Sequence, residues 1–338
     1  MSRADSRVWS IVMAGGEGER TRPLIERWLG RHKPKQYCTF AGTRSLLQHT
    51  VDRADQVANP SHRVTVVAES HREEALAQLA TRGGRLMLQP ENRGTGPGVF
   101  LGLSYVQAMD PGATVVIYPS DHFVWPEARF IDLIRESITA SRHRPDNPIL
   151  LGVMPDRPER DYGWILPEDT HPHPGGLTIR SVKAFREKPD ADEADLLMSS
   201  GAMWNTLILV ARVETLWGLG WRYIPDIMPL FECLTEHIGM RAEADVLQAI
   251  YARMPNRNFS SELLDPAAAD LATIEMQGVT WSDWGRPERI LDTLSGIGKA
   301  PVFPIEPALA AAHAILPDLS AARHVTRGAI RPVLAKHA

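Results

Sequence analysis

Three glycines and two basic side chains lie close together near the start of the chain. Gly15, Gly16 and Gly18 follow a short apolar run, and Arg20 and Lys35 come after them. Glycines at such a turn allow the backbone to approach a ligand and to point several N–H groups at it, which suits phosphate oxygens. The two cations could neutralise the same phosphates. The stretch therefore predicts a triphosphate-binding loop, with an ordinary Gly-rich turn as the alternative.

Two well-known phosphate loops do not match this stretch. A dinucleotide fingerprint needs a third glycine where Thr21 stands, and Arg22-Pro23 is expected to stop the helix that should follow. A P-loop needs a lysine and then a serine or threonine after its last glycine, and this pair is missing from the stretch.

The elements that must position the loop alternate along the first half of the chain. Apolar, β-branched runs predict strands at 8–13, 64–68, 85–89, 114–118 and 148–153, and segments of helical period predict helices at 45–57, 72–81, 96–109 and 130–142. This alternation indicates right-handed βαβ units and a mostly parallel sheet. Ligands of such sheets lie beyond the carboxyl ends of the strands. The loop after Met13 and the segment that holds Asp121 should therefore face one crevice.

The second half of the chain has a looser pattern. Short strands separated by Pro- and Gly-bearing turns follow residue 152, and helix candidates lie within 225–253. A half of this kind more often builds a second substrate wall than an independent domain. The Ala-rich segment 307–316 is a further helix candidate.

Composition excludes several classes of function. A formal net charge of -4 and a pI of about 6.3 give no basic field for nucleic acid. No stretch approaches the roughly 18 to 20 apolar residues of a membrane span, and no targeting segment is expected. Cys38 and Cys233 lie far apart, in an arrangement that suggests neither a zinc site nor a disulfide framework. We expect a cytoplasmic protein that binds neither nucleic acid nor membrane.

An ordered set of motifs resembles the sugar-1-phosphate nucleotidyltransferases, and within them the mannose-1-phosphate guanylyltransferases. The motifs are GGEGERTRP at 15–23, PKQ at 34–36, PSDH at 119–122, YGWI at 162–165, FREKP at 185–189, WNT at 204–206 and WSDWG at 281–285. The resemblance implies an α/β fold of the nucleotide-diphospho-sugar transferase type, with a Rossmann-like, mostly parallel sheet flanked by helices and a smaller α+β sugar-binding half.

The resemblance also implies a domain organisation. The nucleotidyltransferase domain should span residues 1–295, with a nucleotide-binding half at about 1–152 and a sugar-binding half at 153–295. A helical tail should follow at 296–338. No additional sugar-isomerase domain is expected, and family members are often homodimers.

The family reaction is the attack of a sugar-1-phosphate oxygen on the α-phosphorus of a nucleoside triphosphate. Since the nucleophile is already an anion, the barrier is repulsion and positioning between two polyanions, which calls for cations and a metal. The resemblance makes Arg20 and Lys35 catalytic, and Asp121 and Asp283 ligands of Mg²⁺. It assigns nucleotide binding to Ala14, Gly15, Gly16, Gly18, Arg93, Thr95 and Asp121, and sugar-phosphate binding to Gly163, Glu187, Lys188 and Asn205.

Some of these residues also have ordinary structural explanations. An aspartate after a strand, such as Asp121, often caps the next turn, and Asp283 could be a turn former. Glu187 and Lys188 could be a solvated pair on an edge strand. His122 is expected to be structural.

The chain departs from the family pattern at three places. Gly94, Gly96 and Gly98 replace an asparagine and two alanines near the nucleotide base, and Leu207 replaces a glycine near the sugar. Acidic residues at 17 and 19 enter the phosphate loop. The reaction expected first is GTP with mannose-1-phosphate. The alternatives are another triphosphate or another hexose- or heptose-1-phosphate, and a non-catalytic homologue that binds a nucleotide sugar and regulates a partner.

Overall fold

Apolar runs form strands and amphipathic segments form helices in the computed structural model, which describes residues 7–168 and 178–304. Within these residues the strands are β1 (Val8–Ala14), β2 (Arg63–Ala68), β3 (Arg85–Gln89), β4 (Thr114–Pro119), β5 (Phe123–Trp125), β6 (Ile149–Val153), β7 (Gly163–Pro167), β8 (Ile179–Glu187), β9 (Met203–Arg212), β10 (Ala272–Glu275) and β11 (Thr280–Ser282). The helices are α1 (Arg22–Leu29), α2 (Leu46–Val57), α3 (Arg72–Leu79), α4 (Thr95–Met109), α5 (Glu127–His143), α6 (Ala191–Ser199), α7 (Val213–Tyr223), α8 (Met228–His237), α9 (Glu243–Tyr251) and α10 (Pro287–Gly296).

Nine of these strands form one sheet in the order β3-β2-β1-β4-β9-β6-β10-β8-β7. Strands β1 to β4 are parallel neighbours, as their continuous apolar runs predict. Strand β9 enters antiparallel between β4 and β6 and joins the second half of the chain to the first half. Strands β5 and β11 form a separate antiparallel ribbon.

The core lies on both faces of the sheet. Ile11 packs into one apolar cluster with Phe100 of α4, and its neighbour Val12 packs into another with Leu47 of α2. Because successive side chains of a strand point to opposite faces, β1 is buried on both sides and the fold has three layers. No helix within the described residues is long and apolar enough to cross a membrane.

The expectation that Arg22-Pro23 stops a helix is wrong. Helix α1 begins at Arg22 with the proline in its first turn, after a 3-10 turn at Glu19–Thr21. The first turn needs no intrahelical N–H donor, so proline is tolerated there. Elsewhere the boundaries shift slightly, and the candidate at 225–253 resolves into α8 and α9. The helix expected at 307–316 lies outside the described residues.

The two loops expected to share a crevice are joined directly. Both the backbone N–H and the hydroxyl of Ser120 donate hydrogen bonds to the carbonyl oxygen of Met13, at 3.0 and 2.8 Å. This confirms that the Gly-rich loop after β1 and the PSD segment after β4 meet at one edge of the sheet.

Candidate active site

The β5–β11 ribbon brings the two candidate metal carboxylates to one place. Ser282, the last residue of β11, pairs with Phe123, the first residue of β5. Asp283 directly follows that pair and Asp121 lies two residues before it. Because the ribbon is antiparallel, both carboxylates emerge at the same end.

Lys35 lies between these two aspartates. Its Nζ is 3.0 Å from Asp121 Oδ2 and donates a short hydrogen bond to the backbone carbonyl of Asp283. Its side chain is only 4% exposed. A buried ammonium with two anionic or dipolar partners is fixed in position, which is what a preorganised charge requires.

A rigid turn connects Lys35 to the Gly-rich loop. The 3-10 turn Lys35–Tyr37 follows Pro34, and Gln36 Nε2 donates to the carbonyls of Ala14 and Gly16, at 3.0 and 2.7 Å. Gly18 has a φ of +65°, and a Cβ on it would lie 3.0 Å from the Cβ of Lys35. The loop glycine is therefore required both by its backbone conformation and by the close approach of the lysine.

Arg20 joins the same cluster from the Gly-rich side. Its guanidinium is 2.9 Å from Asp161 Oδ2 and 3.1 Å from Asp283 Oδ2, and its side chain is about half exposed at 49%. Arg20 and Lys35 thus converge on one cluster of carboxylates, with Arg20 at the solvent side and Lys35 at the buried side.

Asp283 accepts several hydrogen bonds within the cluster. Its Oδ1 accepts hydrogen bonds from Tyr162 Oη at 2.7 Å, Arg289 Nη1 at 2.8 Å and the backbone N–H of Gly285 at 2.9 Å. Burial acts to raise the pKa of Asp283, but Lys35 and Arg289 outweigh it and hold the pKa far below its ordinary value. Asp283 is therefore ionised at neutral pH.

Asp121 is less enclosed, with 35% of its side chain exposed. Burial acts to raise its pKa, yet the Lys35 ammonium, followed by His122, lowers the pKa below the ordinary value. His122 Nε2 lies 3.5 Å from Asp121 Oδ1, and the imidazole packs edge-on against Trp281. That packing fits the structural role expected for His122.

Asp121 and Asp283 are the candidate ligands of a divalent cation. Two ionised carboxylates are hard oxygen ligands of the kind that Mg²⁺ prefers. Among the residues that the structure describes, the partner of Asp121 Oδ1 is the His122 nitrogen at 3.5 Å. Within residues 7–168 and 178–304 no group of three or more His, Cys, Asp or Glu side chains could hold a metal.

The candidate sugar residues form a second group. Gly163 of β7 pairs with Glu187 of β8, and a Cβ on Gly163 would lie 2.7 Å from Glu187 Oε2 and 3.3 Å from the Cβ of Asn205. Burial raises the pKa of Glu187, although Lys188 opposes the shift. Lys188 lies 3.7 Å from Glu187 and is 61% exposed, with a φ of +49°. Its ammonium is therefore able to reach a ligand in solvent.

Arg93 and Thr95 contact residues other than those of the charged cluster. Arg93 pairs with Glu91, and Thr95 Oγ1 accepts a hydrogen bond from the backbone N–H of Phe259 at 2.9 Å. The glycines beside them have a packing explanation, since Cβ atoms on Gly94 and Gly96 would lie 2.4 and 3.0 Å from the carbonyl oxygen of Arg257. The glycines that depart from the family pattern here leave room for the backbone of Arg257.

The other departures also have structural consequences. Glu17 turns toward His71, with 3.3 Å between Oε2 and Nε2. Leu207 has a φ of +58°, the left-handed region that glycine adopts without strain, at the position where the family has glycine. The leucine is partly buried and packs against the core cluster.

Three residues of the site were not found from the sequence. Asp161 and Arg289 complete the charged network and lie 3.0 Å apart. No pattern in the sequence predicts that they are in contact. Gln89 is 6% exposed, and its Nε2 has no hydrogen-bond partner in the described part of the chain. Its Oε1 would lie 3.3 Å from a Cβ on Gly15. The signal for Gln89 was its place at the carboxyl end of β3, which is the ligand-binding edge.

A model of the nucleotidyl transferase family matches residues 9–299. The chain belongs to the nucleotidyl transferase family. It is 27% identical over 294 residues to mannose-1-phosphate guanylyltransferase ManC of Salmonella typhimurium, a match that covers 84% of this chain and 59% of that protein. It is 28% identical over 235 residues to mannose-1-phosphate guanylyltransferase of Escherichia coli K12, covering 68% of this chain and 48% of that one.

Solved structures agree with this placement. The mannose-1-phosphate geranyltransferase from Thermus thermophilus is 25% identical and matches with a TM-score of 0.71, over 84% of this chain and 79% of that one. The α/β fold predicted from the motifs and the resemblance to the guanylyltransferases are therefore confirmed. The chain spans 59% or less of the length of the two curated relatives named above.

Proposed function

We propose that this nucleotidyl transferase acts on a sugar-1-phosphate, joining GTP and mannose-1-phosphate to give GDP-mannose and pyrophosphate. The observation that carries the proposal is the position of Lys35, which is buried between the carboxylate of Asp121 and the backbone carbonyl of Asp283. The neighbouring Gln36 ties it to the Gly-rich loop. The guanosine and mannose specificity rests on the named relatives.

The reaction needs no general base. A sugar-phosphate oxygen forms a bond to the α-phosphorus, and the bond from that phosphorus to the oxygen bridging to the β-phosphate breaks. Pyrophosphate leaves with the electron pair. Lys35 and Arg20 neutralise the charge that the two polyanions bring together, and the N–H groups of Gly15, Gly16 and Gly18 orient the triphosphate.

Asp121 and Asp283 would hold Mg²⁺, which when bound supplies positive charge to the phosphates. The chain's contribution is to keep both carboxylates ionised and fixed. Tyr162 and Arg289 orient Asp283 by their hydrogen bonds. Arg20 shares Asp283 Oδ2, so it is positioned to turn from that oxygen to a phosphate.

The sugar half presents complementary groups. Glu187 and Asn205 would form hydrogen bonds with the sugar hydroxyls. A Cβ on Gly163 would crowd both side chains, which supports a role for glycine at this position. Lys188 extends into solvent beside Glu187 and would bind the sugar phosphate.

The test is pyrophosphate release with Mg²⁺ and mannose-1-phosphate, run with GTP, ATP, CTP, UTP and dTTP and repeated with glucose-1-phosphate. We expect turnover confined to GTP and mannose-1-phosphate. Turnover with another pair would keep the reaction type and change the specificity. Triphosphate binding without release for any pair would favour the non-catalytic homologue.

A further inference from the structure

A second cavity of about 450 Å³ adjoins the proposed active site without containing its charged residues. Four aromatic side chains line it, namely Phe40, Phe123, Trp125 and Trp284. Neither Arg20, Lys35, Asp121 nor Asp283 is among its lining residues, and nor is any glycine of the phosphate loop. The proposed transfer reaction therefore gives this cavity no role.

The cavity shares two chain segments with the active site. His122 directly follows Asp121, Trp284 directly follows Asp283, and both line the cavity. Each proposed metal ligand is therefore followed in the chain by a residue that lines the cavity. A ligand in the cavity would therefore contact residues that are covalently adjacent to both proposed metal carboxylates.

Trp284 is the tighter of these two connections. Its φ of +45° is in the left-handed region, and its ring stacks on Phe123 with centroids 4.5 Å apart and planes 13° from parallel. A non-glycine residue in this conformation is held by its surroundings. The stack across the end of the ribbon therefore fixes the backbone that presents Asp283.

One basic side chain of the cavity favours an anion. The lining includes the basic side chains of Arg44, Arg53 and Lys299 and the acidic side chain of Glu127. Arg53 is paired with Glu127 at 3.1 Å and Arg44 is paired with Asp52, so Lys299 carries the charge that these pairs leave uncompensated. Lys299 Nζ lies 3.8 Å from the ring centroid of Trp125 and has no carboxylate partner within the described residues. The aromatic side chains could stack on a planar ring of a ligand, and the Lys299 ammonium could pair with an anionic group on that ring.

We propose that this cavity is a second ligand site, which takes a small aromatic anion and changes nucleotide binding through His122 and Trp284. Binding of a ligand in this cavity does not depend on which reaction the protein catalyses. The effect on nucleotide binding rests on the proposed function, because it requires Asp121 and Asp283 to act at the nucleotide.

Binding is measured by calorimetry on the full chain with 1-naphthyl phosphate, and 1-naphthol serves as the uncharged control. We expect one probe per chain and much weaker binding of 1-naphthol. Lys299→Ala should weaken binding about tenfold, as loss of a charged contact does. Ala300→Trp, which fills the cavity from an exposed lining position, should abolish it. Lys183→Ala, an exposed lysine outside the cavity lining, should have no effect.

Absence of binding would overturn the inference, and so would binding that Ala300→Trp leaves unchanged. Displacement of the probe by GTP in direct competition would place it in the active site and would also overturn it. Thermal unfolding of each variant verifies that the chain is folded.

Coupling is measured as the affinity for GTP with and without saturating probe. We expect a change of about fivefold or more, and the reciprocal change in probe affinity that linkage requires. An unchanged GTP affinity would overturn the coupling. Probe binding in a chain that shows no turnover with any substrate pair would contradict only the proposed function, whereas turnover without probe binding would contradict only this inference.

Discussion

Replacing Lys35 by methionine removes one charge from the centre of the site with little change in volume. In the wild type the ammonium lies 3.0 Å from Asp121 Oδ2 and donates to the carbonyl of Asp283. If this cation stabilises the transferring phosphates, its loss must reduce turnover far more than it reduces folding stability.

The magnitude follows from the burial of the lysine. A preorganised donor in a water-excluded site contributes about 2.7–4 kcal/mol to the transition state, so kcat should fall about 10²- to 10³-fold. The stability change should stay within about 2 kcal/mol, because methionine removes the desolvation cost of a buried ammonium and water can reach the partner carboxylate of Asp121.

The assay is pyrophosphate release at saturating substrates, together with urea unfolding. Lys33→Met is the matched control, because Lys33 lies two residues away and pairs with Glu74 at 3.0 Å, outside the site. Its kcat should change less than about twofold, because Lys33 contacts Glu74 and not the residues of the site. A Lys35→Met enzyme with kcat within tenfold of wild type would refute the assigned role, as would an equal loss in the control.

Three further outcomes are expected. Gln89→Leu should raise the KM for the triphosphate about three- to tenfold and leave the KM for the sugar phosphate unchanged, because the buried amide without a partner is available to the nucleotide; steady-state kinetics decide. Glu187→Gln should be more stable than wild type at pH 7 in urea unfolding. Burial raises the Glu187 pKa above the ordinary 4.5, so the folded wild type loses stability as the pH rises above 4.5. The difference in stability between Glu187→Gln and the wild type should therefore vanish below pH 4.5. Leu207→Gly should be about 1 kcal/mol more stable to unfolding than Leu207→Ala because of the positive φ. At Leu196, which is exposed on α6, the alanine variant should instead be about 1 kcal/mol more stable than the glycine variant. The same order of stability at both positions would contradict the backbone explanation.

The first half of the fold could be predicted because its signals are local. The apolar runs of β1, β2 and β4 and the helical period of α2 and α4 each lie within one continuous segment. The rule that ligands lie at the carboxyl edge then placed the Gly-rich loop beside the PSD segment, as the bonds from Ser120 to Met13 confirm.

The remainder depends on pairings between distant parts of the chain. Strand β9 lies between β4 and β6, and no local pattern specifies such an insertion. Arg289 and Asp161 are 128 residues apart in sequence yet 3.0 Å apart in space. Gly96 differs from the family pattern because the backbone of Arg257 packs against it. Each of these contacts exists only after the sheet has formed.

The central claim is transfer of a nucleotidyl group to a sugar phosphate rather than to water. The most direct measurement is ³¹P NMR of one reaction that contains the chain, GTP, mannose-1-phosphate and Mg²⁺. Our account predicts equal growth of the diphosphate signals of GDP-mannose and the signal of pyrophosphate, with no inorganic phosphate. Formation of GDP and inorganic phosphate, or an unchanged spectrum, would contradict it.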